Sequence, residues 1–208
     1  MTTSFKARSF PLSGLTGISD KTLEMHFGLY EGYVKETNQI TEQLAELAKA
    51  GKAAKNPVYA EMNRHLGYEY GGMILHEYYF SNLRAGASLR PPSTSAVAEA
   101  LARCFGSVED WRKDFQAVGG LRGVGWVLLC EDPTTRRLTN HWVSLHQDGM
   151  PAGFKPLLIL DVWEHAFMRD YRATERGRYL DAFFRNIDWA VVERRLVEPT
   201  AIRPAAAA

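Results

Sequence analysis

The chain has 208 residues with 25 Lys+Arg against 24 Asp+Glu, which excludes both the basic surplus of a nucleic-acid binder and the acidic bias of a solvating tail. At 46% hydrophobic and 12% aromatic residues it can bury the core of one globular unit or of two small lobes. No apolar run approaches about 18 residues, the first twenty residues lack the apolar centre of a secretory signal, and the two cysteines, Cys104 and Cys130, are too few for a disulfide framework. These features predict a soluble protein of a reducing compartment, most simply the cytoplasm, with neither nucleic acid nor membrane as partner.

Ser19 or Asp20 can cap a helix that starts near Lys21. Leu23, Phe27, Tyr30, Val34, Ile40, Leu44 and Leu47 then recur at helical intervals as far as a stop at Gly51. A second helix is predicted from Pro57 to Leu83, apolar on more than one face, with Gly71-Gly72 as a weak point or a place of close approach. "RAGASLRPPSTS" reads as a linker and divides an N-terminal lobe, 1–86, from a C-terminal lobe, 87–208. Two shorter helices follow, parted at Gly106, with Ser107 capping the second. The period then changes. "GWVLLCED", "RLTNHWVSLHQ" and "KPLLILDVW" predict a small three-stranded antiparallel sheet, and the last run passes directly into the helical stretch "WEHAFMRDYRATERGRYLDAFFRNIDWAVVERRL". "RPAAAA" is expected to be a frayed tail. The fold class is α+β: an α-helical hairpin lobe followed by an α/β lobe.

Four polar groups sit where core is expected. His26 in "LEMHFGLYEGYV" and His76 in "GGMILHEYYF" lie on apolar, aromatic helix faces, and "DVWEHAF" sets Asp161 four residues before His165. Buried imidazoles and carboxylates need partners. One cation held by three imidazoles and a carboxylate would satisfy all four, and N/O ligation without thiolate suits iron, manganese or zinc. The competing reading is a helical packing domain whose histidines are satisfied within the core.

"DVWEHAF" resembles the Asp-Val-Trp-Glu-His-Ala-Tyr signature of the iron/manganese superoxide dismutases. "HFGLYEGYV", "GGMILHEYYFSNL", "FGSVEDWRKDF", "GVGWVLL" and "FFRNIDWAVVERRL" are similar to further segments of that family, in its order, from about residue 19 to 197. The resemblance implies that His26, His76, Asp161 and His165 bind one iron or, alternatively, manganese ion per chain. It implies disproportionation of superoxide to oxygen and hydrogen peroxide, metal between the two lobes, and a homodimer or tetramer. Ile159 and Tyr79 lean the metal towards iron.

The resemblance also assigns supporting residues. Tyr33 matches the gateway tyrosine, although the chain is one residue shorter than the family between His26 and that tyrosine, and on a strict helix Tyr30 at i+4 and Tyr33 at i+7 could both lie on the same face. His146, or its neighbour Gln147, would reach the metal-bound solvent, with His146 filling the space left by Gly72. Trp126 and Trp163 would wall the pocket, Tyr79 would stand behind it, and Glu164 would reach across a dimer interface to a partner's His165. Two positions depart from the family: Tyr30-Glu31 replaces a His-His pair, and Met168 stands where a tyrosine is usual. Those departures sustain a second possibility, a metal-holding relative with little turnover. A zinc hydrolase with Glu77 as base is a third, but Glu77 points away from His76 on a helix.

Overall fold

The computed structural model describes residues 4–198, so the expected tail at 203–208 lies outside the described residues. Two long helices come first. α1 (Asp20–Lys49) starts where the Ser19 hydroxyl accepts the Thr22 N–H at 3.2 Å, with Asp20 at the positive end of the helix dipole. It buries Leu23, His26, Tyr30, Val34, Thr37, Ile40 and Leu44, a stripe at three- and four-residue steps. α2 (Pro57–Ser81) starts at an Asn56 cap, with Pro57 in the first turn where no N–H is needed. It packs on α1 along its length and on the sheet near its end, so Leu75 through Phe80 are all buried and no single stripe marks it.

α3 (Ala96–Phe105) and α4 (Val108–Gly119) begin at the hydroxyl caps Ser95 and Ser107 and are parted by Gly106, whose φ of +92° suits a residue without a Cβ. The sheet has β1 (Trp126–Glu131) between β2 (Leu138–Val143) and β3 (Lys155–Asp161), all antiparallel. β1 is buried throughout, which explains its unbroken apolar run. Its register sets Trp126 opposite Asp161 of β3 and opposite Val143 of β2. Among the described residues no helix is long and apolar enough to cross a membrane.

Two expectations are corrected. β2 stops at Val143 rather than running on to Gln147, because Leu145 turns through the left-handed region at φ +52° and Ser144 bridges Asp148. The expected long C-terminal helix is broken into a 3-10 turn at Glu164–Ala166, another at Ala173–Glu175, then α5 (Arg176–Phe184) and α6 (Trp189–Val197). Tertiary contacts override helical periodicity there. The Asp170 carboxylate accepts from Ser19 N–H at 2.8 Å and the Thr22 hydroxyl at 2.9 Å, which draws the segment against the start of α1. Between α5 and α6, the Asn186 side chain exchanges hydrogen bonds with the Thr16 backbone, both at 2.9 Å.

Candidate metal centre

Each polar group arrives from a different piece of the fold. α1 carries His26, the buried end of α2 carries His76, β3 ends on Asp161, and His165 sits in the 3-10 turn that follows. His26, His76 and Asp161 are buried and His165 partly so, with one ligand atom from each lying within 4.8 Å of all the others. Asp161 Oδ1 accepts the Trp163 backbone N–H at 2.8 Å. Oδ2 is left facing Nε2 of His165 at 3.0 Å, of His26 at 3.1 Å and of His76 at 3.7 Å.

His76 shows what this arrangement lacks. Its Nδ1 lies 2.6 Å from the Gly72 carbonyl oxygen, which can only accept, so Nδ1 carries the proton. Nε2 is therefore a bare lone pair, buried, without a hydrogen-bond partner and aimed at a carboxylate oxygen. Burial holds this imidazole well below its ordinary pKa, so protonation does not relieve the repulsion. Burial alone would raise the Asp161 carboxyl, but His165 and His26 hold it well below the carboxylate range, in its ligand form. A cation between these groups would satisfy them together. Two donors each about 2.1 Å from one ion lie roughly 3.0–3.6 Å apart at ordinary ligand angles, close to the 3.0, 3.1 and 3.7 Å that separate Asp161 Oδ2 from the three imidazoles. Three imidazoles and one carboxylate fit iron, manganese or zinc.

Aromatic side chains enclose the cluster. The Trp126 ring stands edge-on to His76 at 4.9 Å, and its Nε1–H donates to His146 Nδ1 at 3.1 Å. An indole only donates, so the His146 proton is on Nε2, which donates to Tyr33 Oη at 2.8 Å. Burial pushes His146 down to about 4, which keeps it neutral near pH 7. The Tyr33 ring stacks on His76 at 5.2 Å, and Trp163 stacks on His146 at 4.8 Å and on His165 at 5.9 Å. Burial first, then Tyr68, push the Tyr33 phenol above its ordinary range.

The glycine pair in α2 is a place of close approach, with a different division of labour from the one expected. The Tyr33 ring, not His146, fills the space at Gly72, where a Cβ would stand 2.6 Å from Tyr33 Cδ1. His146 crosses Gly71 instead, where a Cβ would collide with its carbonyl group. Gln147 turns back, its Oε1 accepting the His146 N–H at 3.3 Å. Tyr30 and Tyr33 diverge rather than sharing a face. Tyr30 donates to Glu77 Oε1 and accepts the Arg8 N–H, both at 2.9 Å, while Arg8 Nε lies 3.3 Å from Glu77 Oε2. Glu164 is exposed on the outside of its turn.

Tyr79 stands behind the cluster, next to a residue that sequence reasoning missed. Tyr179 donates to the Asp161 carbonyl oxygen at 2.8 Å, so its own oxygen accepts from Tyr79 Oη at 3.1 Å. In the sequence Tyr179 reads like any core aromatic, and nothing ties it to Asp161.

Comparison with known proteins agrees with this geometry. The model of the iron/manganese superoxide dismutase α-hairpin domain matches residues 12–84, and that of the C-terminal domain matches residues 92–195. An iron superoxide dismutase of Cupriavidus metallidurans is 42% identical over 180 residues, covering 84% of this chain and 86% of its own length. The chain belongs to the iron/manganese superoxide dismutases. Within that superoxide dismutase family, a manganese protein of Haloferax volcanii is 36% identical over 83% of each chain. An iron protein of Aquifex aeolicus is 34% identical over 87% of this chain and 85% of its own. The family therefore includes both iron and manganese relatives of this chain.

Proposed function

We propose that the chain is a superoxide dismutase, converting superoxide to oxygen and hydrogen peroxide with one iron, or else manganese, ion per chain. The observation that carries the reading is the buried His76 Nε2 lone pair facing Asp161 beside two further imidazoles. His26, His76, Asp161 and His165 would hold the ion. Bound there, iron or manganese supplies a one-electron couple that one superoxide reduces and a second oxidises. The side chains handle protons and water. Trp126 fixes the His146 proton on Nε2, aimed at Tyr33, and leaves the Tyr33 O–H directed to a further acceptor. Trp126 and Trp163 exclude bulk water from the ligand cluster, where low polarity strengthens each electrostatic contact.

The wider reading is of two lobes, 1–86 and 87–208, with the metal between them, in a homodimer or tetramer. Exposure of Glu164 next to a partly exposed His165 supports pairing of Glu164 in one protomer with His165 in the other. Tyr79 and Ile159 favour iron. The free thiols Cys104 and Cys130 suit the reducing cytoplasm. The test is elemental analysis and a dismutation assay on one sample, before and after reconstitution with iron or manganese. About one ion per chain, with activity that follows occupancy, is expected from this ligand count. Full occupancy without activity would assign a metal-holding role instead, and no uptake of either ion would remove the site.

A further inference from the structure

His26 and His76 sit on long helices and Asp161 ends a strand, and these three side chains are at most 1% exposed. His165 differs. Its side chain is 20% exposed, and it stands in a three-residue 3-10 turn whose few internal bonds hold a side chain poorly. On one side the turn is held by Phe167, which is buried and stacks on Tyr179 of α5 at 5.3 Å. On the other it is held to the start of α1. Asp170 Oδ2 accepts the Ser19 N–H at 2.8 Å and the Thr22 hydroxyl at 2.9 Å, and the Tyr171 hydroxyl donates to the Gly17 carbonyl oxygen at 2.5 Å. Thr22 is fully buried, and Gly17 has φ +78° and no room for a Cβ, which would stand 2.8 Å from the Tyr171 hydroxyl. The backbone completes the link. The Asp170 and Tyr171 N–H groups donate to the Phe167 carbonyl oxygen at 3.0 and 2.8 Å, and the Phe167 N–H donates to that of Glu164 at 3.2 Å. Thr22 lies one helical turn before His26, on the same face of α1. His26 and His165, with ring centroids 4.8 Å apart, are therefore joined through Asp161 on one side and through Asp170 on the other.

We infer that Asp170, assisted by Tyr171, is a clasp that positions His165 against His26 and so limits the escape of the ion. This rests on the metal site of the dismutase reading, though not on turnover. Neither residue belongs to the ligand cluster, so both are positioning residues. While the clasp is closed, the turn cannot draw away from α1 without giving up its bonds to Ser19, Thr22 and Gly17. The negative Asp170 carboxylate at the positive end of α1 strengthens that hold. Once the clasp opens, the least buried ligand swings out on its short turn, and an ion held by the remaining three leaves sooner.

Cobalt(II) is the probe, because it takes nitrogen and oxygen donors and its visible absorption reports their geometry. The full chain is loaded with about one cobalt per chain and mixed with excess EDTA at a fixed protein concentration, and decay of the visible band gives the release rate. Asp170→Ala should release cobalt about tenfold faster than wild type and shift the band at full occupancy. Asp170→Asn keeps an oxygen acceptor in the same shape, and should bring the rate back to within about twofold and the band to its wild-type position. Thr22→Val removes one of the two bonds to Asp170 without changing the side chain's shape. It should give an intermediate rate, which keeps the test open if Asp170→Ala does not fold. Leu101→Ala is the control, since it opens a cavity under α3, which packs mainly on α4, α6 and β2, away from the ligands. Its rate and band should match wild type. Wild-type release in both Asp170→Ala and Thr22→Val, or equal acceleration by Leu101→Ala, would overturn the clasp. A wild-type chain that takes up no cobalt would remove the site and the clasp with it. Cobalt release as expected, from a chain that does not dismute superoxide when loaded with iron or manganese, would refute the dismutase reading and leave the clasp standing.

Discussion

Replacing Gly72 by alanine adds one methyl group at the tightest point of the site. The new Cβ would lie 2.6, 2.8 and 2.9 Å from three ring carbons of Tyr33, where ordinary contact begins at 3.4 Å, so the ring must retreat by about 0.8 Å. A retreat of that size away from His146 would stretch the 2.8 Å bond between His146 and Tyr33 to about 3.6 Å, out of hydrogen-bonding range. Overpacking costs about 1–3 kcal/mol and the lost bond about 1 kcal/mol more. Against the roughly 1 kcal/mol that alanine gains over glycine in a helix interior, the net cost is about 1–3 kcal/mol, and for a chain of this length the melting temperature should drop by roughly 2–12 °C. Thermal unfolding would be measured at matched metal occupancy and protein concentration, because both shift the transition. The same substitution in a Tyr33→Ala background is the control. With the ring gone, alanine in a helix interior should stabilise by up to about 1 kcal/mol relative to glycine. Close packing of Tyr33 on Gly72 is falsified if Gly72→Ala costs less than about 0.5 kcal/mol, or if its cost is the same in both backgrounds.

Other substitutions probe separate parts of the molecule. His165→Ala should keep the fold and bind metal at least about 100-fold more weakly, as judged by elemental analysis after dialysis against a chelator; full occupancy would sink the ligand assignment. Tyr33→Phe should retain metal and change product inhibition or the pH profile. Tyr30→Phe should leave turnover alone and lose about 1–3 kcal/mol of stability, because Glu77 and the Arg8 N–H each lose a buried partner. Reversal of those two phenotypes would show that the tyrosines are wrongly assigned. Cys130 is fully buried and pushed up to about 12 by burial, whereas Cys104 is partly accessible, so a thiol reagent should find at most one fast thiol per native chain and both in denaturant. Since the unfolded Cys130 thiol ionises near 9.0, the stability of its neutral form is fully present below that pH and is lost towards about 12. Cys130→Ala should make melting temperatures fall less steeply over that range.

The features readable from the sequence were local. The Ser19 cap, the α1 stripe and the run ending in Asp161 and His165 each depend on neighbours a few residues apart, and periodicity reports such neighbours directly. What was missed depends on contacts across the fold. Tyr33 meets His146 over 113 residues and Tyr79 meets Tyr179 over 100, separations that leave no periodic trace. The Gly71-Gly72 pair signalled close approach but not which side chain took which glycine. The same limit explains the broken C-terminal helix. Asp170 and Asn186 look permissible in a helical pattern until they are seen bonded to Ser19, Thr22 and Thr16.

The ligand cluster draws on residues 26, 76, 161 and 165, so no ion can gather all four until most of the polypeptide exists. An ion held there is a cross-link that ties the first helix to the end of the sheet without a covalent bond. Free metal at about 100 times its dissociation constant adds roughly 2.7 kcal/mol to the folded state. Metal starvation should therefore act on the protein twice, leaving less of it charged and leaving the uncharged portion easier to open and degrade. The amount of this protein in a cell would then follow the supply of its metal, even with no change in how often the gene is read.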